Sequence, residues 1–186
     1  MKTCDVHFSG LAPYSASRAH EEPKLKGETA DAYEDRTWKF KAHIESGKVF
    51  IPPMGFKMAV DRAAKVGGKQ VPGKGKATYT KFFESGVIVT DPVFVADEKD
   101  ILCERIHANA DGVRGSGKRV WRKFPRLDKW GGVVRFTIIA PELIQAPDVF
   151  EETVRSAGVS VGVGRFRPER GGYFGRFDCS KFAWSK

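Results

Sequence analysis

The chain has 186 residues, 41% hydrophobic and 30% charged, and Lys and Arg exceed Asp and Glu to give a formal net charge of +9. This length suits one domain with a sizeable core, and a content of 14 Phe excludes a disordered chain. The basic balance favours a polyanionic partner.

Three scattered cysteines fit a reducing compartment better than a disulfide framework. The opening MKTCDVHFSG contains no long apolar core of the kind that a secretory signal requires. No apolar stretch approaches the roughly 20 residues that span a bilayer. We therefore expect a cytoplasmic protein without a membrane partner.

The first half of the chain predicts strands followed by a helix. Residues 4–12 predict a first strand, and residues 38–52 predict a strand, a Ser-Gly turn and a second strand. Pro52 and Pro53 begin a helix that ends at Gly67-Gly68. Its inward residues follow helical spacing: Phe56, Ala59, Val60 and Ala63. Residues 68–84, rich in glycine and lysine, then predict a flexible projection.

The second half returns to strands and a helix. Residues 87–95 and 132–140 predict strands, and the β-branched residues of the latter favour a central position. Pro147 begins a second helix that ends at Gly158, and residues 159–166 predict a returning strand. The inward residues of this helix are Phe150, Val154 and Ala157. This order predicts an α+β fold with an antiparallel sheet and helices on one face.

Basic residues are concentrated in three runs. Residues 65–81 carry five lysines and no acid, residues 114–135 carry eight Lys or Arg against one acid, and residues 162–177 carry four Arg against one acid. Acidic residues collect at 21–35 and 84–104. Because glycines and aromatic residues are interleaved with the basic runs, we infer an organised anion-binding surface.

Motifs of several enzyme and metal-site classes are incomplete. GVRGSGK, 112–118, resembles a phosphate-binding loop, but Arg119 replaces the hydroxyl residue that binds magnesium, and a strand follows where a helix is required. Cys4 and His7 have no second Cys/His pair, so we expect no metal site. The histidines accompany no nucleophile motif.

Three stretches in chain order carry a family resemblance: HFSGLAPYSASR (7–18), GKVFIPPMGFKMAVDRAA (47–64) and GVGRFRPERGGYFGRF (162–177). They resemble, in turn, the first strand and its turn, the strand that enters the first helix, and the glycine-rich loop of the RAMP superfamily of CRISPR proteins. The matching residues of the second stretch are Ile51, Pro52, Phe56, Lys57 and Val60. The departures from the family pattern are Pro53, Met54, Met58 and the adjacent Asp61 and Arg62.

The resemblance implies a single domain over 1–186 with a ferredoxin-like, RRM-type fold. It also implies a projecting thumb, assigned to 68–84, while the glycine-rich turn among basic residues predicts a basic hairpin at 105–131. The implied function is non-enzymatic binding of single-stranded nucleic acid, RNA above all, by subunits that stack head to tail or join a ribonucleoprotein. No cofactor is expected.

Arginine and lysine neutralise phosphates, and aromatic rings stack on bases. The candidate nucleic-acid-binding residues are Lys57, Arg62, Lys69, Lys74, Lys76, Arg114, Lys118, Arg119, Arg122, Arg165, Arg167, Arg170, Tyr173, Phe174 and Arg176. The alternative function is a metal-independent endoribonuclease of the same superfamily, with His20 as acid or base, or with Asp31 or Asp35 at the cleavage position. The sequence leaves open RNA against single-stranded DNA, and a CRISPR subunit against a phage protein.

Overall fold

A computed structural model describes residues 1–109, 117 and 119–185. The strands are β1 (Lys2–Gly10), β2 (Tyr14–Ser15), β3 (Ile44–Glu45), β4 (Lys48–Ile51), β5 (Val87–Ile88), β6 (Val93–Asp97), β7 (Leu102–Asn109), β8 (Arg119–Leu127), β9 (Gly131–Ile138) and β10 (Phe177–Trp184). The α-helices are α1 (Ala30–Thr37), α2 (Pro53–Gly67), α3 (Thr80–Gly86), α4 (Pro141–Ile144) and α5 (Pro147–Ser156). Within the described residues, no helix has the length and apolar character needed to cross a membrane.

The largest sheet has the strand order β10-β1-β9-β5, and all its pairings are antiparallel. The four strands of this sheet and the two long helices occur along the chain in the order strand, helix, strand, strand, helix, strand: β1, α2, β5, β9, α5 and β10, with shorter elements and the two smaller sheets inserted between them. This is the ferredoxin-like arrangement. The predicted α+β fold with an antiparallel sheet is confirmed, and the β-branched run of β9 occupies the expected central position.

Both long helices pack on one face of this sheet. Cys4 of β1 and Phe136 of β9 are register partners, and Phe8 lies on the same face as Cys4 because side chains alternate along a strand. The Phe8 ring lies 5.0 Å from the Phe56 ring of α2, and the Phe136 ring lies 5.5 Å from the Phe150 ring of α5. These contacts form the centre of the hydrophobic core.

α2 begins and ends close to the predicted positions. Pro53 occupies its first turn, where the missing N–H has no intrahelical acceptor to lose. Gly68 caps its end in the left-handed conformation, with φ of 56°. The predicted inward residues are buried, so the opposite face of the helix stays available to ligands.

Residues 68–84, predicted as a flexible projection, contribute three side chains to the core. Val71, Tyr79 and Phe83 are buried in the core, and the Val71 N–H donates to the Ala77 carbonyl at 2.8 Å. These three apolar residues anchor the segment to the core, while residues 72–76 between them are exposed, and the assignment of 68–84 as a thumb stays a prediction.

The predicted strand over 159–166 is also corrected. Ala157–Val161 form a π-helical turn after α5, and the chain continues as a loop to β10. Gly162 and Gly164 have φ values of 72° and 77°, outside the range of a strand. Alternating valines predict a strand here, but Val161 and Val163 are buried in the hydrophobic core from a turn and a loop.

Two three-stranded antiparallel sheets complete the fold, with strand orders β3-β4-β6 and β2-β8-β7. The predicted Ser-Gly turn joins β3 to β4, whereas Trp38–Lys41 form a 3-10 helix instead of a strand. The predicted strand over 87–95 is divided between β5 and β6, which belong to different sheets. β7 and β8 form a hairpin that pairs from Leu102↔Arg126 to Asn109↔Arg119.

Candidate nucleic-acid interface

The glycine-rich loop, residues 162–176, is held against β2 by backbone hydrogen bonds. The Arg165 N–H donates to the Ser15 carbonyl at 2.8 Å, and the Gly175 N–H donates to the Pro13 carbonyl at 2.7 Å. Gly164, with φ of 77°, lies so close to the Tyr14 ring that a Cβ there would collide with it. A glycine backbone can therefore pack here, and the arginines of the loop are fixed in position.

Three adjoining clefts follow this loop. The helix cleft, about 470 Å³, lies between α2 and the loop and is lined by Met58, Arg62, Lys65, Arg167 and Arg170. The loop cleft, about 790 Å³, is lined by His107, Arg119, Arg165, Phe166 and Arg170. The hairpin cleft, about 580 Å³, is lined by Arg18, His20, Lys41, Arg122 and Arg165.

The clefts share lining residues, so together they form one continuous path. Glu169 and Arg170 line both the helix cleft and the loop cleft. Ala108, Asn109 and Arg165 line both the loop cleft and the hairpin cleft. The path has the shape and the positive charge that an extended polyanion requires.

Arg165 stands at the junction of two clefts, and no described carboxylate forms an ion pair with it. Its guanidinium carbon lies 3.3 Å from the centre of the Phe124 ring and 4.5 Å from that of Phe166. Among the described residues, no carboxylate lies within ion-pair distance of Arg165, and its buried Nε has no hydrogen-bond partner. Burial, followed by the charge of Arg122, lowers the pKa of Arg165 to about 10. The side chain is therefore still a cation at neutral pH.

The buried carboxylate of Glu34 is occupied by other donors. It accepts hydrogen bonds from Lys41 Nζ at 2.6 Å, Arg122 Nη1 at 2.8 Å and the Lys123 N–H at 2.9 Å. Burial opposes ionisation of Glu34, but these hydrogen bonds outweigh it and lower its pKa. Glu34 thus joins α1 to β8 and leaves Arg165 without an acidic partner.

The helix cleft is organised by Glu169. Its carboxylate pairs with Arg62 at 3.2 Å and with Arg167 at 2.9 Å, which places both guanidinium groups along the cleft. Arg170 is exposed at the boundary with the loop cleft. In the loop cleft, Arg119 Nη2 donates to the His107 carbonyl at 2.7 Å.

Several predicted cations lie outside the three clefts and have other partners. Lys57 pairs with Asp61 and donates to the Phe83 and Glu84 carbonyls, so it ties α2 to α3. Two lysines pair with glutamates of α4 and α5. Arg176 donates to the Val159 carbonyl at 2.9 Å. Those lysine pairs are Lys69 with Glu152 and Lys74 with Glu142. Lys76 is exposed and lines none of the clefts.

The two aromatic residues predicted to contact nucleic acid differ in how far their side chains are exposed to solvent. Tyr173 is 61% exposed, whereas Phe174 is only 5% exposed, so the expectation that Phe174 contacts nucleic acid is corrected. The Phe174 N–H donates to the Phe166 carbonyl at 3.0 Å, and this turn directs the Phe174 ring inward. Phe166, 40% exposed in the loop cleft, presents its ring instead.

Sequence reasoning missed Arg18, Lys41 and Glu34. Arg18 ends one of the stretches that carry the family resemblance, which was the available signal for it. Nothing in the sequence pairs Glu34 with residues 41 and 122, because only the tertiary fold brings them together. The predicted Arg114 and Lys118 lie outside the described residues.

Of the three candidate catalytic residues, only His20 borders the path. It lines the hairpin cleft, and its buried Nδ1 has no hydrogen-bond partner among the described residues. Asp31 and Asp35 are exposed on α1, and Asp35 pairs with Lys123. Within residues 1–109, 117 and 119–185, no group of three or more His, Cys, Asp or Glu side chains is placed to hold a metal ion.

No protein-family profile and no curated protein matches the sequence. Among solved structures, a chain of the type III-B Cmr-beta complex bound to cognate target RNA is similar over 100% of this chain, with 15% identity and a TM-score of 0.56. This protein spans 61% of the length of that chain.

Two further structures are more distant. Cmr6 from Pyrococcus furiosus matches 97% of this chain and 99% of its own length, with 13% identity and a TM-score of 0.49. A chain of a CRISPR RNA-guided surveillance complex matches 96% of this chain and 66% of its own, with 11% identity and a TM-score of 0.41. The similarity to the Cmr-beta chain shows a shared fold, and the protein is therefore RAMP-like in fold, as its sequence motifs indicate.

Proposed function

We propose that this protein binds single-stranded nucleic acid, RNA in preference to DNA, along the path of the helix, loop and hairpin clefts, without catalysing a reaction. The observation that carries the proposal is Arg165, a cation between two aromatic rings where two clefts meet, with which no described carboxylate forms an ion pair. A partly buried cation without a carboxylate in contact is unfavourable in the free protein, and a phosphate can supply that partner.

The chemistry of the path suits a single strand. Arginines placed along it neutralise phosphates, and Phe166 offers a ring on which a base can stack. Both contacts tolerate any base, so we expect little sequence preference. Affinity should fall steeply with salt, because phosphate contacts release counterions.

The proposed preference for RNA rests on the similarity in structure to the Cmr-beta chain. The similar Cmr-beta chain belongs to a complex bound to cognate target RNA. By analogy, we propose that this protein also works within a ribonucleoprotein, either beside other subunits or beside further copies of itself on one strand.

Fluorescence anisotropy with a labelled single-stranded RNA tests the proposal. The cleft variant R62Q/R165M/R170Q should bind at least tenfold more weakly than the wild type, because it removes three cations from the path. The matched control K26Q/K48Q/K99Q removes three exposed charges outside the clefts and should bind almost as well as the wild type. Equal losses in both variants would show that net charge, and not the path, accounts for binding.

The second candidate function is an endoribonuclease, which the position of His20 favours. An imidazole with an unpartnered nitrogen beside Lys41 and Arg122 can move a proton near a bound phosphate. Labelled RNA should then be cut in the presence of EDTA by the wild type and not by H20A. Intact RNA with both proteins would remove this candidate.

A further inference from the structure

We propose that Trp121 of β8 is a base-stacking platform that extends the nucleic-acid path from the loop cleft onto the β7–β8 hairpin. This inference rests on the proposed function, because it requires a single strand in the loop cleft. Trp121, Arg105 and His107 were not among the predicted site residues, although they fall in the predicted basic hairpin at 105–131.

Trp121 is a large side chain left open on a strand. It is 48% exposed, whereas Trp130 is buried with its ring N–H donated to the Ala12 carbonyl at 2.8 Å. Half-exposed aromatic side chains of this size are typical of contact surfaces. Exposure alone assigns no role, since Phe94 is exposed to 42%, and the neighbours of Trp121 carry the inference.

Two residues of β7 contact the indole. His107 is the register partner of Trp121 across the hairpin, with ring centroids 5.0 Å apart and planes inclined by 34°. The guanidinium carbon of Arg105 lies 4.5 Å from the centre of the Trp121 ring. Both neighbours belong to β7, so the remaining exposed surface of the indole stays available to a ligand.

The surroundings of Trp121 are positively charged. Arg105 and Arg119 lie near the indole, and no carboxylate within the described residues forms an ion pair with either. A nucleotide satisfies both features of this surface, since its base has a π face and its phosphate is an anion.

The platform is continuous with the path already described. His107 and Arg119 line the loop cleft together with Arg165 and Phe166. A strand that leaves the loop cleft toward the hairpin therefore meets the Trp121 ring next. This continuity favours nucleic acid over an acidic protein segment as the occupant.

The test measures the affinity of four proteins for a single-stranded RNA: wild type, W121A, W121F and the control F94A. Phe94 is exposed to a similar degree, at 42%, but lines none of the three clefts. Loss of one stacked base should weaken W121A by about 5- to 100-fold. W121F keeps a ring and should retain most of the affinity, and F94A should match the wild type.

An RNA of equal length made of abasic nucleotides separates stacking from charge. On this strand W121A and the wild type should bind equally, because no base is present to stack. Wild-type affinity of W121A for the normal RNA, alongside a loss in R165M, would overturn the platform and leave the proposed function standing. Failure of the wild type to bind would overturn both. An effect of W121A on self-association alone would identify a protein contact and overturn the platform.

Discussion

The binding role proposed for Arg165 comes with a stability cost. Its charge is partly buried, and burial together with Arg122 lowers its pKa to about 10. The Phe124 and Phe166 rings offset part of this cost through cation–π contacts. A side chain that is unfavourable in the free protein is retained where a ligand needs it.

The substitution Arg165→Met tests this balance. Methionine fills a similar volume without a charge, so we expect the free energy of unfolding to be unchanged or raised by up to about 1 kcal/mol. The affinity for single-stranded RNA should fall at least tenfold in the same protein. Urea denaturation and anisotropy measure the two quantities. A clear loss of stability would show that the loop needs the arginine for folding.

At this scale the sequence predicts residue types better than their orientations. The arginines of the loop could be chosen because clustered cations and glycines indicate an anion site, and Arg165, Arg167 and Arg170 do line the clefts. The sequence favoured Phe174 over Phe166 as the exposed ring, and the structure has the reverse, with a left-handed φ of 54° at Phe166 that no sequence pattern indicates.

At the scale of the elements, the contact between α1 and β8 is made by the buried carboxylate of Glu34. Glu34 accepts hydrogen bonds from Lys41, Arg122 and the backbone of Lys123. Replacing it by glutamine leaves the Lys41 cation buried without a counter-charge. Removal of one member of a buried pair commonly costs about 3 kcal/mol.

We therefore expect Glu34→Gln to lower the free energy of unfolding by about 3 kcal/mol near neutral pH. The folded-state pKa of Glu34 lies below its ordinary value of 4.5, so its contribution is present above that pH and is lost as the pH falls through the folded value. The difference between wild type and variant should shrink in acid. Urea titrations at neutral and acidic pH measure it, and a difference that does not change with pH would contradict the assigned role.

Elements with complete local signals were predictable. α2 has Pro at its start, helical spacing of apolar residues and a glycine cap, and each of these is a local property. The burial of Val71 and Tyr79 within 68–84, and of Val163 in a loop where a strand was predicted, depends on distant parts of the chain. Local propensity yields to tertiary packing in both segments.

At the scale of the whole molecule, several acidic residues pair with basic residues of the same chain. Acidic residues at 21–35 and basic residues at 114–135 could form opposite faces that join neighbouring copies. Instead, Glu34 contacts Arg122 and Asp35 contacts Lys123 within one molecule. The acidic run at 84–104 likewise supplies Glu104 to Arg126. Acid–base contact between copies therefore loses much of its support.

A shared strand still favours neighbouring copies, since binding to one strand raises their local concentration. We expect the mass of the complex to grow in regular steps as the RNA is lengthened, and light scattering measures that mass. Variant R62Q/R165M/R170Q should show no growth under the same conditions. One protein per strand at every length would support a single binding module and exclude assembly along RNA.

The most direct test of the proposed nucleic-acid path is to map which residues a bound single-stranded RNA contacts. Single-stranded RNA carrying photoreactive thiouridine is cross-linked to the protein, and the attached peptides are identified by mass spectrometry. Cross-links should concentrate in α2 from Met58 to Lys65, in the loop from Arg165 to Gly172, and in the hairpin near His107 and Trp121. Cross-links confined to residues 68–84 or to the helix-free face of the large sheet would contradict the proposed path.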